Sequence, residues 1–164
     1  MRSILKVNWD SKLPIYEISQ SELQKNGIHC LLLDVDGTLL NRNTTKIPKS
    51  VKNWISKSKK MFSLYLVSNN PSKKRIEKIA KELNLRYKYK ASKPRKKQTL
   101  NVIKEINCEL NSIAIIGDRI FTDIIVGNRC NIKTILVKRL KRDGLPIKFN
   151  LTLTIEKLIS LFIK

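Results

Sequence analysis

The sequence predicts an α/β fold built on a mostly parallel sheet, and two observations carry that prediction. Short, continuous apolar runs alternate along the chain with segments whose apolar residues fall at helical spacing, the pattern of strands buried on both faces and joined by helical crossovers. Polar residues able to do chemistry follow the ends of four of those runs, at the edge where an open parallel sheet binds its ligands.

Each element has a local reason. Ser19, Gln20, Ser21 and Glu22 have the form of a capping box, flanked by Ile18 and Leu23 as a hydrophobic staple. They open a short helix that ends near Gly27, a residue suited to the left-handed position after a helix. Residues 28–34 form the first strand. Pro48 introduces a helix over about 49–60, and residues 61–67 form the second strand. Asn70 and Pro71 are expected to cap the next helix, with proline in its first turn, where the missing N–H is not needed. In that helix Ile76, Ile79, Ala80 and Leu83 make one buried stripe. Residues 86–90 are a short strand, and Pro94 opens a helix carrying Leu100, Ile103 and Ile106. An apolar strand at 113–116 ends in Gly117 and Asp118, a helix covers about 122–130, and residues 134–137 are the last strand. In the tail, about 150–164, Ile155, Leu158, Ile159, Phe162 and Ile163 again have helical spacing, expected as a helix docked on the core.

A chain of 164 residues predicts one domain, with a core at about 28–140, an N-terminal extension at 1–27 and the tail helix. No apolar run reaches the roughly 18–20 residues of a membrane span, and the first residues do not read as a signal peptide. Cys30, Cys108 and Cys130 are scattered in apolar contexts and are expected to be reduced core thiols of a cytoplasmic protein. The net charge of +21, from 34 basic and 13 acidic residues, is densest at 86–97, where no acid occurs. Such a field attracts polyanions: nucleic acid, an anionic membrane surface or phosphorylated substrates. A merely solvated surface is the bland alternative.

The chemistry collects around Asp34 and Asp36, two carboxylates at the mouth of a buried strand, followed by Gly37 and Thr38. Carboxylates so placed are unfavourable unless they meet a cation or react. Asp34 is the candidate nucleophile toward phosphorus, and Asp36, two residues on, the candidate acid for the leaving oxygen and base for water. A phosphomonoester dianion repels such an attack, so a hard cation such as Mg²⁺ is required, and Asp34, Asp118 and a backbone carbonyl suit it. Ser68, Asn69 and Lys93 are the candidate phosphate-binding residues, and Thr38 and Asp123 are supporting. Each motif alone has an ordinary explanation: a surface turn, a helix cap, a first-turn acid.

Taken in order, Asp34-x-Asp36-Gly37-Thr38, Ser68-Asn69-Asn70, Lys93-Pro94 and Gly117-Asp118 with Asp123 resemble the haloacid dehalogenase (HAD) superfamily of phosphatases over about 28–137. The resemblance implies a Rossmann-like three-layer sandwich. It makes Asp34 the nucleophile and Asp36 the acid/base, with phosphate held by Ser68 and Lys93. Mg²⁺ would lie on Asp34, Asp118 and the Asp36 carbonyl, with Asp123 orienting the lysine or supporting the metal. The segments 117–129, 133–140, 142–144 and 148–150 narrow the likeness, over roughly 13–150 and including Leu13 and Pro14, to the HAD IIIA group typified by bacterial YqeG proteins, related to mitochondrial phosphatidylglycerophosphate phosphatases. That group commonly carries Asn where this chain has Gly37.

Many HAD enzymes insert a cap domain, but 40–61 and 71–92 each have room for one helix and not for a domain of about 50 residues. A capless, open site suits a phosphate presented by something large. The expectation is hydrolysis of phosphatidylglycerophosphate, by a cytoplasmic protein working peripherally at an anionic membrane. Nucleic-acid ends or small phosphorylated metabolites are the alternative substrates. A basic binding protein with a vestigial site is the alternative from another class.

Overall fold

The computed structural model describes residues 4–141 and 144–146, so the expected tail helix at about 150–164 lies outside the described residues. Six strands, β1 (Trp9–Asp10), β2 (Cys30–Leu33), β3 (Ser63–Val67), β4 (Arg86–Lys88), β5 (Ile113–Gly117) and β6 (Lys133–Leu136), form one sheet in the order β1-β6-β5-β2-β3-β4. Every pairing between these strands is parallel. The helices are α1 (Gln20–Lys25), α2 (Lys49–Ser58), α3 (Lys73–Leu83), α4 (Lys97–Ile106) and α5 (Ile125–Arg129).

Alternation along the strands sorts the core into two layers. Leu31 and Leu33 of β2 face Val51, Trp54 and Ile55 of α2 and Ile76, Ile79 and Leu83 of α3. Cys30 and Leu32 face the other way, with Val102 and Ile103 of α4 and Val126 of α5. None of the four β2 side chains is exposed. Burying each leucine contributes about 1.5–3 kcal/mol relative to exposure, so the central strand is firmly held. Ser19 caps α1 by accepting from the Glu22 N–H, Ile18 and Leu23 are buried as a staple would be, and the Trp54 indole donates to the Ile18 carbonyl at 2.8 Å.

Three expectations are corrected. The cap of α3 is Ser72, whose hydroxyl accepts from the Arg75 N–H, because Asn70 accepts from the Ser72 N–H and so turns the chain before the helix begins. Residues 120–129 do not form one regular helix: Ile120–Ile124 is a π-helical turn that passes into α5. Cys30 and Cys108 are joined in a disulfide, while Cys130 is free and buried. The sequence separation of 78 between the paired cysteines hides the fact that the start of β2 and the end of α4 meet in the same core layer. The strand β1 was not anticipated either; it carries part of the predicted extension onto the edge of β6.

Candidate active site

Parallel register brings the functional strand ends level. Leu33 of β2 pairs with Leu66 of β3 and with Ile116 of β5, and the Asp34 N–H continues the ladder to the Ile116 carbonyl at 2.9 Å. From β2 the chain runs outward through β3 and β4 and returns on the opposite side at β5. The β2–β5 boundary is therefore a topological switch point, where a crevice opens beyond the strand ends. Asp34 and Asp118 follow those two strands. A cleft of about 310 Å³ lies there, lined by Asp34, Asp36, Ser68, Asn69, Lys93 and Asp123, with Asn41, Arg42, Arg119 and Arg139 among its other walls.

Lys93 is the electrostatic centre. Its Nζ lies 2.7 Å from Asp34 Oδ1 and 2.6 Å from Asp123 Oδ1, and its side chain is 1% exposed. Burial alone would lower its pKa, but the carboxylates of Asp123 and Asp34 together raise it above the ordinary lysine range, so the ammonium stays charged. Asn69 sets the lysine in place: its amide donates to the Lys93 carbonyl and accepts from the Lys93 N–H, both at 2.7 Å.

The aspartates are short of positive charge. Burial, then Asp34 and Asp123, pushes Asp118 up to about 7 against the pull of Arg139, whose Nε sits 2.5 Å from Asp118 Oδ2. Burial pushes Asp123 up to about 6, with Lys93 opposing and Asp34 adding to the rise. Thr38 Oγ1 donates to Asp34 Oδ2 at 3.1 Å and approaches Asp118 Oδ1 at 3.4 Å, tying the two carboxylates together. Carboxylate oxygens of Asp34, Asp118 and Asp123 all lie within 4.8 Å of one another. Three buried, hard oxygen donors fit a hard divalent ion.

The Asp36 side chain turns away from that cluster. Its Oδ1 pairs with Arg75 Nη1 at 2.7 Å, and its Oδ2 accepts from Asn70 Nδ2 at 2.8 Å. Ser68 is 1% exposed, and its hydroxyl accepts from the Asn70 N–H at 3.1 Å.

Gly37 has φ +99°, and a Cβ there would come within 2.6 Å of Asp118 Oδ2 and 2.9 Å of Arg139 Nε. A side chain at this position would be strained and would crowd the Asp118–Arg139 pair. The Gly37 carbonyl accepts from the Leu140 N–H at 2.8 Å, which holds the neighbouring Arg139 against Asp118.

The structure thus gathers every candidate from the sequence into one place, with Asp118 fully buried beneath the cleft. Sequence reasoning missed Arg75 and Arg139, and it read Asn70 only as a helix cap. Among 34 basic residues no arginine stands out; the one available signal was the position of Arg75 in the first turn after the Ser-Asn-Asn motif.

Comparison with known proteins bears on the family and the fold. A family model described as mitochondrial PGP phosphatase matches residues 3–140. The "Probable phosphatase YqeG" of Bacillus subtilis is 27% identical over 138 residues, covering 83% of this chain and 80% of that protein. Among solved structures, an uncharacterized protein from Listeria monocytogenes superposes with a TM-score of 0.56 at 16% identity, covering 76% of this chain and 84% of that one. The putative HAD-hydrolase YfnB of Bacillus subtilis, bound to magnesium, gives 0.54 at 15% identity, with 73% and 90% covered. At such identities the structures speak for the fold, and the matched sequence speaks for the family. With 138 of its 164 residues matched, the chain belongs to the mitochondrial PGP phosphatase family and is similar to the YqeG phosphatase over most of its length.

Proposed function

We propose that this chain is a Mg²⁺-dependent phosphatase that hydrolyses a phosphomonoester through an aspartyl-phosphate, with phosphatidylglycerophosphate as substrate and phosphatidylglycerol as product. The observation that carries the reading is Asp34 itself: buried at the switch point, with one oxygen on Lys93 and the other on Thr38, and with Asp36 two residues on at the same cleft.

Asp34 attacks phosphorus, an Asp34 Oδ–P bond forms, and the P–O bond to the leaving group breaks. Asp36 gives its proton to the departing oxygen. It then takes a proton from water as that water attacks phosphorus, which releases phosphate and regenerates Asp34. Lys93 and the Ser68 hydroxyl face the phosphoryl oxygens, whose charge grows in the loose transition state. Asp34, Asp118 and the Asp36 carbonyl would hold Mg²⁺, with Asp123 behind them. Bound there, the ion would offset repulsion between carboxylate and phosphate. Asn69 serves by fixing the Lys93 main chain. The magnesium of YfnB supports the choice of metal.

The lipid substrate is supported by the family and by charge. Apart from the site's own aspartates, the segments that follow β2 to β6 at the carboxyl edge, 37–48, 68–74, 89–97, 119–122 and 137–141, carry Arg42, Lys73, Lys74, Arg95, Lys96, Arg119, Lys138 and Lys141 and add no carboxylate. A basic rim around an open cleft suits an anionic surface carrying the phosphate, in the manner of a peripheral protein. Among the described residues no helix is long and apolar enough to cross a membrane. One connecting helix in each of the two intervals after β2 and β3 supports a capless domain.

The test compares phosphate release from phosphatidylglycerophosphate vesicles, a 3′-phosphorylated oligonucleotide and a sugar phosphate, with and without EDTA. Preference for the vesicles, lost in EDTA, is expected. Preference for either soluble substrate would overturn the lipid assignment, and full activity in EDTA would overturn the metal.

A further inference from the structure

Arg75 has no place in the scheme above, yet it is the only cation that an ion pair joins to Asp36 among the described residues. Its guanidinium reaches three oxygens from two parts of the site. Nη1 lies 2.7 Å from Asp36 Oδ1, while Nη2 donates to the Thr44 carbonyl at 2.7 Å and the Asn41 carbonyl at 3.3 Å. The side chain is 15% exposed, and its backbone N–H is fixed by the Ser72 cap at the start of α3. Asn41 and Arg42 form part of the cleft wall.

We infer that Arg75 is a positioning residue for phosphoryl transfer: it aims the Asp36 carboxyl at the leaving group and locks that aim to the 41–44 wall of the cleft. This rests on the acid/base role of Asp36 proposed above. A carboxyl with a cation on one oxygen and the Asn70 amide on the other has little freedom to rotate. As the proton passes to the leaving oxygen, Asp36 becomes a carboxylate, and the charge that appears on it already faces the guanidinium. The planar fork is essential to this geometry, since one Lys ammonium cannot span the carboxylate and both carbonyls with the same directions.

The test separates proton delivery from general loss of structure. kcat/KM is measured for p-nitrophenyl phosphate, whose leaving group departs as a stable anion, and for glycerol 3-phosphate, whose alkoxide must be protonated. In Arg75→Gln the glycerol 3-phosphate value should fall about 10-fold or more beyond any loss on the aryl ester, a part of what a positioned general acid supplies. Arg75→Lys should recover part of that selective loss. If the glutamine variant does not fold, Arg75→Lys alone decides: a loss confined to the alkyl ester supports the inference. Equal losses on both esters, or no loss, overturn it. Asp36→Asn is run beside them; if that variant shows no leaving-group dependence, the Asp36 role fails and the inference falls with it. If Asp36→Asn shows the dependence and the Arg75 variants do not, the proposed function stands and only the inference is lost.

Discussion

Lys93 and Asp34 are 59 residues apart in the chain and joined by a 2.7 Å bond from ammonium to carboxylate. The same ammonium also reaches Asp123, so one buried cation serves two buried anions. Replacing Lys93 with Met keeps the bulk of the stem and removes the charge. Leaving a buried pair without its partner is destabilising by about 3–5 kcal/mol, and loss of the cation proposed to bind phosphate should reduce kcat by about 100-fold or more. Urea denaturation at pH 8 in EDTA checks the first figure, and single-turnover kinetics the second. A variant as stable and as fast as the parent would remove Lys93 from the centre of the site.

Asp118 and Asp123 make the metal-free protein sensitive to pH in a defined direction. Both carboxylates rise in the fold from an ordinary 3.8, to about 7 and about 6. The native chain therefore binds more protons than the unfolded chain between those values, and stability falls as pH rises through that window. In EDTA the melting temperature should be lower at pH 8 than at pH 6. Added Mg²⁺ should flatten the difference, and so should Asp118→Asn. A metal-free melting curve with the opposite slope would contradict the charge balance described for the cluster.

Asp34→Asn should abolish turnover of p-nitrophenyl phosphate while leaving the circular dichroism spectrum unchanged, because an amide oxygen is too poor a nucleophile for phosphorus. Any retained activity should come without a phosphorylated protein on rapid acid quench. Normal turnover in this variant would reassign the nucleophile.

Gly117 closes β5 directly against Asp123, and a Cβ at Gly117 would overlap the Asp123 carboxylate. Gly117→Ala should therefore displace Asp123 from Lys93, at about 1–3 kcal/mol of stability as in other overpacked sites, and lower activity. A crystal structure of the variant with the Asp123–Lys93 contact intact would refute this.

The cysteines give a simple count. Unfolded without reductant, the protein should take up one alkyl group, at Cys130, and three after reduction. In the native state Cys130 should react slowly, since burial raises its thiol to about 11 against the opposing pull of Lys96 and Arg129. Three groups taken up without reductant would show that Cys30 and Cys108 are not bonded.

What the sequence made legible was periodic or local. The apolar run around Leu31, the stripe at Ile76, Ile79, Ala80 and Leu83, and the caps flanking α1 each declare themselves within one turn or one strand. The acidic motif at Asp34 was legible because buried carboxylates demand an explanation. Features set by distant partners were not. β1 is two residues long, and neither Trp9 nor Asp10 repeats a strand pattern; only the neighbouring β6 makes them a strand. Arg75 and Arg139 are ordinary members of a basic chain until the fold lays one against Asp36 and the other against Asp118. The same holds for Cys108, which looks like any core thiol until α4 brings it to Cys30.

The pairing of β1 with β6 also bears on how this chain is made. Asn8 and Thr134 exchange hydrogen bonds across 126 residues of sequence, so β1, made well before β6, has no sheet neighbour among the described strands until β6 has emerged. Closing so long a loop is entropically slow. The leading segment must therefore wait, undocked, while the central sheet assembles behind it. A bulky insertion just ahead of β1 would burden this closure, whereas the same insertion would leave the pairing of β2 with β3 and β5 untouched.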